Sequence, residues 1–93
     1  MIRSFADRAT ERFFLDGVCP GRWRAFEAVA TRKLDMLDAA VRLDDLRSPP
    51  GNQLEALKGD RGGQFSIRIY RQWRVCFRWT SDGPEDVEIV DYH

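Results

Sequence analysis

Histidine, cysteine and lysine are all scarce in this 93-residue chain, with one His, two Cys and two Lys. Two cysteines, Cys19 and Cys76, are too few to staple a disulfide scaffold, so the sequence reads as a reduced, cytoplasmic protein. A lone His93 and two distant cysteines make no zinc-ligand set, and no metal or organic cofactor is expected. No apolar run approaches the ~20 residues that a membrane span requires. The opening Met1-Ile2-Arg3-Ser4-Phe5 has no apolar stretch of the secretory kind. What is present, 43% hydrophobic and 32% charged residues, suits one small domain over residues 1–93 with a single core.

Charge is balanced overall, with 15 Lys+Arg against 15 Asp+Glu, but it is unevenly distributed. Residues 58–78 hold Lys58, Arg61, Arg68, Arg71, Arg74 and Arg78 against Asp60 alone. Residues 79–93 hold Asp82, Glu85, Asp86, Glu88 and Asp91 with no Lys or Arg. A local basic stripe can bind phosphate even when the whole chain is neutral. Arginine outnumbers lysine 13 to 2, and the planar guanidinium suits bidentate recognition of phosphate.

The first half reads helical. A short helix is expected over 6–15, ended by Asp16-Gly17. A longer one follows from about Arg22 to Val41, where Trp23, Phe26, Val29, Ala30, Leu34, Leu37 and Val41 recur at three- and four-residue steps and form one apolar stripe. Ser48-Pro49-Pro50-Gly51-Asn52 marks a loop. Leu54 to Leu57 fits a short strand or one helical turn, and Lys58 to Gly63 a glycine-rich turn. Phe65, Ile67 and Ile69, then Trp73, Val75, Phe77 and Trp79, alternate with polar residues at the period of half-buried strands. Ser81-Asp82-Gly83-Pro84 is a turn, and Val87 to Val90 a last strand.

The alternation fixes a register. Burying both apolar sets on one face pairs Ile69 with Trp73, Ile67 with Val75 and Phe65 with Phe77, which leaves Tyr70-Arg71-Gln72 as the connection. On the opposite face Arg68 then confronts Arg74. Like charges opposed across strands are destabilising, so either the two arginines splay apart or an anion belongs between them. Arg74→Ala is expected to leave the fold intact, because Trp73 and Val75 still fill the core. The tryptophans belong to apolar stripes and read as core. Cys76 reads as a buried strand thiol and not as a nucleophile.

Leu57-Lys58-Gly59-Asp60-Arg61, Ser66-Ile67-Arg68, Gln72-Trp73-Arg74-Val75-Cys76-Phe77 and the terminal Asp91-Tyr92-His93 together resemble the HigB branch of the RelE/ParE toxin superfamily. Met1 to Phe5 and Arg47 to Asn52 fit the same branch. The resemblance implies an α+β fold: two N-terminal helices packed on one face of a small, mostly antiparallel twisted sheet. It implies the toxin of a type II toxin–antitoxin module, a ribosome-dependent endoribonuclease that cuts translated mRNA and arrests growth. The implied partners are a HigA-type helix-turn-helix antitoxin, the ribosome and its mRNA, with operator DNA reached only through the antitoxin. The resemblance makes Lys58, Asp91, Tyr92 and His93 catalytic and Arg74 a phosphate contact. Arg61, Arg68, Arg71 and Arg78 are added as phosphate contacts from the charge count alone.

Those residue types suit the chemistry. RNA is cleaved without a metal when its own 2′-OH attacks the adjacent phosphate, given a base, an acid and positive charge on the phosphorane. His93 titrates near neutrality, Asp91 can act as base or orient another group, and acid and base stay unassigned between them. Lys58 and Arg74 supply charge, and Tyr92 can bond the phosphate or stack on a base. Two other readings stand beside this one. One is a ParE-like toxin that binds a topoisomerase and cuts no RNA. The other is a catalytically weak toxin that acts mainly as an antitoxin-binding co-repressor.

Overall fold

A computed structural model describes residues 1–92. Helix α1 (Arg8–Asp16) is followed by a 3₁₀ segment, Gly21–Phe26, that runs into α2 (Glu27–Ala39). Two short 3₁₀ turns, Leu43–Arg47 and Pro50–Asn52, lead to the strands β1 (Glu55–Ala56), β2 (Phe65–Tyr70), β3 (Trp73–Thr80) and β4 (Gly83–Asp91). The strands form one antiparallel sheet in the order β1-β2-β3-β4. The expected α+β architecture is the observed one.

Local chemistry explains the helix limits. Asp7 is extended and its carboxylate accepts the Thr10 N–H at 2.8 Å, an N-cap that starts α1. Gly17, at φ 72°, ends it in the left-handed conformation, where a side chain would be strained. The single long helix expected over 22–41 is two pieces, because Phe26 (φ −123°, ψ 23°) leaves the helical region between the 3₁₀ segment and α2. Since α2 stops at Ala39, Val41 falls off the apolar stripe and is exposed. The other stripe residues do face inward, with Trp23, Phe26, Ala30, Leu34 and Leu37 buried.

The β2–β3 register bears out Phe65 with Phe77, Ile67 with Val75, and Arg68 with Arg74. It corrects the end of the hairpin. Tyr70, not Ile69, pairs with Trp73 across an irregularity between Arg68 and Tyr70. The turn is therefore Arg71-Gln72, with Arg71 at φ 53°. Ile69 stays buried in the core while Tyr70 packs on Phe26 at the sheet's rim, its ring centroid 6.0 Å away. A second shift between Cys76 and Arg78 lets β4 run from Gly83, longer than the expected 87–90 strand.

The helical half supplies Phe13, Trp23, Phe26, Leu34 and Leu37 to the core. The sheet meets them with Ile67, Val75, Phe77, Val87 and Ile89. The outer edge of β4 does not face water. Val87 donates to Ser4 O, Ala6 donates to Val87 O, and Arg3 donates to Pro84 O at 2.8 Å. Phe5 bridges Val87 in parallel, and the Ile89 N–H reaches the buried Thr10 Oγ1 of α1 at 3.1 Å. Covering an edge in this way satisfies its backbone and prevents pairing with another chain. Thr10→Val keeps the side-chain volume but strands that buried N–H. We expect it to cost ~1–3 kcal/mol, read as a lower urea midpoint at an unchanged slope.

Candidate functional site: the polar face of the sheet

The helices cover one face of the sheet. Register assigns the other face to Ser66, Cys76 and Glu88 in one row and Arg68, Arg74 and Val90 in the next. Directly opposed residues share a face. Asp91 therefore lies on the side of its partner Trp73, at the end of β4, and Tyr92 is the next residue beyond the strand. The Tyr92 N–H anchors that end by donating to Gln72 O at 2.9 Å. Asp91 is exposed and Tyr92 half-buried. His93 lies outside the described residues.

The arginines of the basic stripe take different places. Arg74 is 6% exposed. Its Nε–H donates to Ser66 Oγ at 2.6 Å, its Nη2 donates to Gln53 O, and its guanidinium stands 3.6 Å from the Glu55 carboxylate. It thus braces β3 to β2 and β1. Arg68 turns away, its Nε–H donating to Arg71 O at 3.0 Å. The opposed pair thus splays apart, each guanidinium donating to its own acceptor. Arg71 is exposed, with its guanidinium over the Tyr70 ring at 5.2 Å. Arg78 pairs with Asp86 at 3.5 Å at the surface. Arg61 reaches across the face from the loop before β2 to Glu88 on β4 at 2.7 Å, and its Nη1 also donates to Gln64 Oε1 at 3.1 Å. Lys58 is exposed just ahead of the 3₁₀ turn Gly59–Arg61 and makes no side-chain hydrogen bond or ion pair among the described residues.

The local electrostatics follow from this arrangement. Glu88 raises the Arg61 pKa through their hydrogen bond, and Tyr92 adds to the effect from nearby. Burial pushes the Cys76 thiol up to about 11; Arg61 and Arg74 pull it down and Glu88 pushes it further up. A thiol held protonated in this way is no nucleophile at neutral pH. Arg61, Arg74 and Glu88 thus gather around Cys76 on one side of the sheet, with Tyr92 near Arg61, while Asp91 stands at the end of β4. No cluster of three or more His, Cys, Asp or Glu able to hold a metal exists among the described residues. Sequence reasoning passed over Glu88. The signal was the acidic segment directly following the basic one, which a hairpin lays alongside it.

This geometry has relatives. A family described as the RelE-like toxin of type II toxin-antitoxin system HigB matches residues 3–93. The chain belongs to that family, so it is a toxin whose counterpart is an antitoxin. It is 40% identical to Toxin HigB-1 of Vibrio cholerae over 97 aligned positions, covering all of this chain and 98% of that protein. It is 29% identical to Endoribonuclease HigB of Proteus vulgaris over 93 positions, the full length of both.

Two outcomes follow from the face as built. Arg74→Ala removes the donors to Ser66 and Gln53 from a buried site, so the variant should fold but with reduced stability. It should cost ~1–3 kcal/mol, read by urea unfolding. The raised Cys76 pKa favours the folded state fully below the ordinary thiol value of 9.0 and loses that contribution as pH rises through about 11. Wild-type stability should therefore fall between about pH 9 and 11 more steeply than that of Cys76→Ala, measured by denaturation at each pH. At pH 8 iodoacetamide should label Cys76 only after unfolding.

Proposed function

We propose that this toxin is an endoribonuclease that cuts mRNA on translating ribosomes in the cytoplasm, and that residues 1–93 form one toxin domain. The observation that carries the reading is the extent of the family match, which runs through Asp91-Tyr92-His93 to residue 93. Asp91 is the last residue of β4, and Tyr92, just beyond it, lies near Arg61. The relative named Endoribonuclease HigB, aligned over its whole length, supports the same activity.

The chemistry proposed is attack of the substrate's own 2′-OH on the adjacent phosphate, leaving a 2′,3′-cyclic phosphate. His93 and Asp91 supply proton transfer, Lys58 brings a mobile positive charge to the phosphorane, and Tyr92 bonds or stacks at the scissile nucleotide. Arg68 and Arg71, which have no carboxylate partner among the described residues, are the readiest phosphate contacts. Arg61, Arg74 and Arg78 first have to loosen ion pairs. The partners are a HigA-type helix-turn-helix antitoxin, the ribosome with its mRNA, and operator DNA through the antitoxin. No helix among the described residues is long and apolar enough to cross a membrane, and no membrane partner is proposed.

Those same ion pairs favour the second reading, a catalytically weak toxin that acts mainly as an antitoxin-binding co-repressor. Induction without antitoxin separates the two. Growth arrest with mRNA cut inside translated frames supports the nuclease. Unimpaired growth supports the co-repressor. DNA damage with intact mRNA supports a ParE-like topoisomerase binder.

His93→Ala should lower the cleavage rate on programmed ribosomes roughly 10²–10⁴-fold, the loss typical of a general acid or base, with the unfolding midpoint unchanged. Purified mRNA without ribosomes should be cut far more slowly, because a shallow sheet face holds a flexible strand poorly and orientation is worth ~7–11 kcal/mol of barrier.

A further inference from the structure

We infer that Glu88 is a positioning residue: through Arg61 it latches the Lys58-bearing loop onto the strand that carries Asp91-Tyr92-His93. The role rests on the nuclease reading above, while the latch itself rests on geometry alone. The loop between β1 and β2 is closed by its own backbone, with Arg61 N–H donating to Lys58 O at 3.3 Å, Gly62 to Gly59 O at 2.9 Å and Gln64 to Arg61 O at 3.0 Å. Lys58 is therefore placed wherever Arg61 is placed. Arg61 spans the polar face over Ser66 and Cys76 and ends on Glu88 at 2.7 Å, with 28% and 22% of the two side chains exposed. Gln64 Oε1 takes a second bond from the same guanidinium nitrogen, which fixes its approach. Tyr92, just beyond β4, lies close enough to Arg61 to perturb it.

Among the described residues, the Arg61–Glu88 pair is the side-chain bond that ties the 59–61 turn to β4. The nearest alternative is the backbone bond from Leu57 N–H to Gln64 O at 2.9 Å, which only closes the loop on itself. Lys58 on the loop, and Asp91 and Tyr92 at the end of β4, are thus held in mutual register by one half-buried ion pair. Half-buried charged pairs with good geometry are worth more than exposed ones, which contribute little. The carboxylate need not touch RNA to matter, since a displacement of about 1 Å in a catalytic group can cost 10²-fold in rate.

The test uses the full-length toxin with Glu88→Gln, Arg61→Gln and the double variant. Glu88→Gln keeps the side-chain shape and should fold. Hydrogen exchange of the Gly62 and Gln64 amides, read by mass spectrometry without RNA, should speed up in Glu88→Gln while exchange in β3 stays the same. Single-turnover cleavage on programmed ribosomes should slow by roughly 10- to 100-fold at saturating toxin, with half-saturation unchanged. The double variant should show no more loop exchange than Arg61→Gln alone. Unchanged loop exchange in Glu88→Gln overturns the latch. Faster loop exchange with an unchanged maximal rate, or a rate that rises because a carboxylate was repelling RNA, overturns the positioning role. If the wild type cuts no RNA at all, the nuclease reading fails by itself, and the exchange result still decides the latch.

Discussion

A sheet covered by helices on one side must satisfy its other side from within, and here that constraint organises the polar face. β3 sits between a basic neighbour and an acidic one. The β3–β4 hairpin lays Glu85, Asp86 and Glu88 alongside the arginines of β3 and of the loop before β2. Arg61 and Arg78 take their partners from β4, and Arg74, buried between strands, takes its own from β1 and β2. A chain that is neutral in sum is thus also largely neutralised face by face. Arg61, Arg74 and Arg78 are structural before they are available to a ligand, and that separates the buried brace Arg74 from the exposed Lys58.

Much of this was legible in the sequence, because period-two and period-3.6 patterns are dictated by which side of an element is dry. The core face of β2 and β3, the Arg68–Arg74 opposition and the stop at Gly17 all follow from local rules. The hairpin end was not legible. Sequence alternation assumes unbroken pleating, and an irregularity near Ile69 lets both Ile69 and Tyr70 find apolar contacts. The division of the long helix at Phe26 was hidden for a similar reason: a 3₁₀ turn and an α-helix present nearly the same stripe over six residues.

The candidate site divides in the same way. Residue types suited to RNA cleavage were visible as motifs, but the fates of the arginines were not. Composition records a run of positive charge and is blind to which carboxylates the fold brings beside it. Arg74 is the clearest case. As a strand residue opposite another arginine it reads as an exposed phosphate contact; in the fold it is a cross-brace whose donors are already committed. Glu88 is the converse, an acid that looks like ordinary strand surface until the loop carrying Arg61 folds over it.

The strap along β4 bears on when the toxin becomes a folded body. Ser4 bonds Asp86, and Thr10 bonds Ile89, across 82 and 79 positions of chain. These bonds of the opening segment therefore cannot form until the ninth decade of residues has been made, and contacts so far apart in sequence close late. A nascent chain that has emerged only as far as β3 lacks both the strand that shields the core's flank and the carboxylates that neutralise its arginines. It remains an open, positively charged fragment. Only completion of β4 converts it into a closed molecule, so synthesis itself sets the earliest moment at which the protein can act.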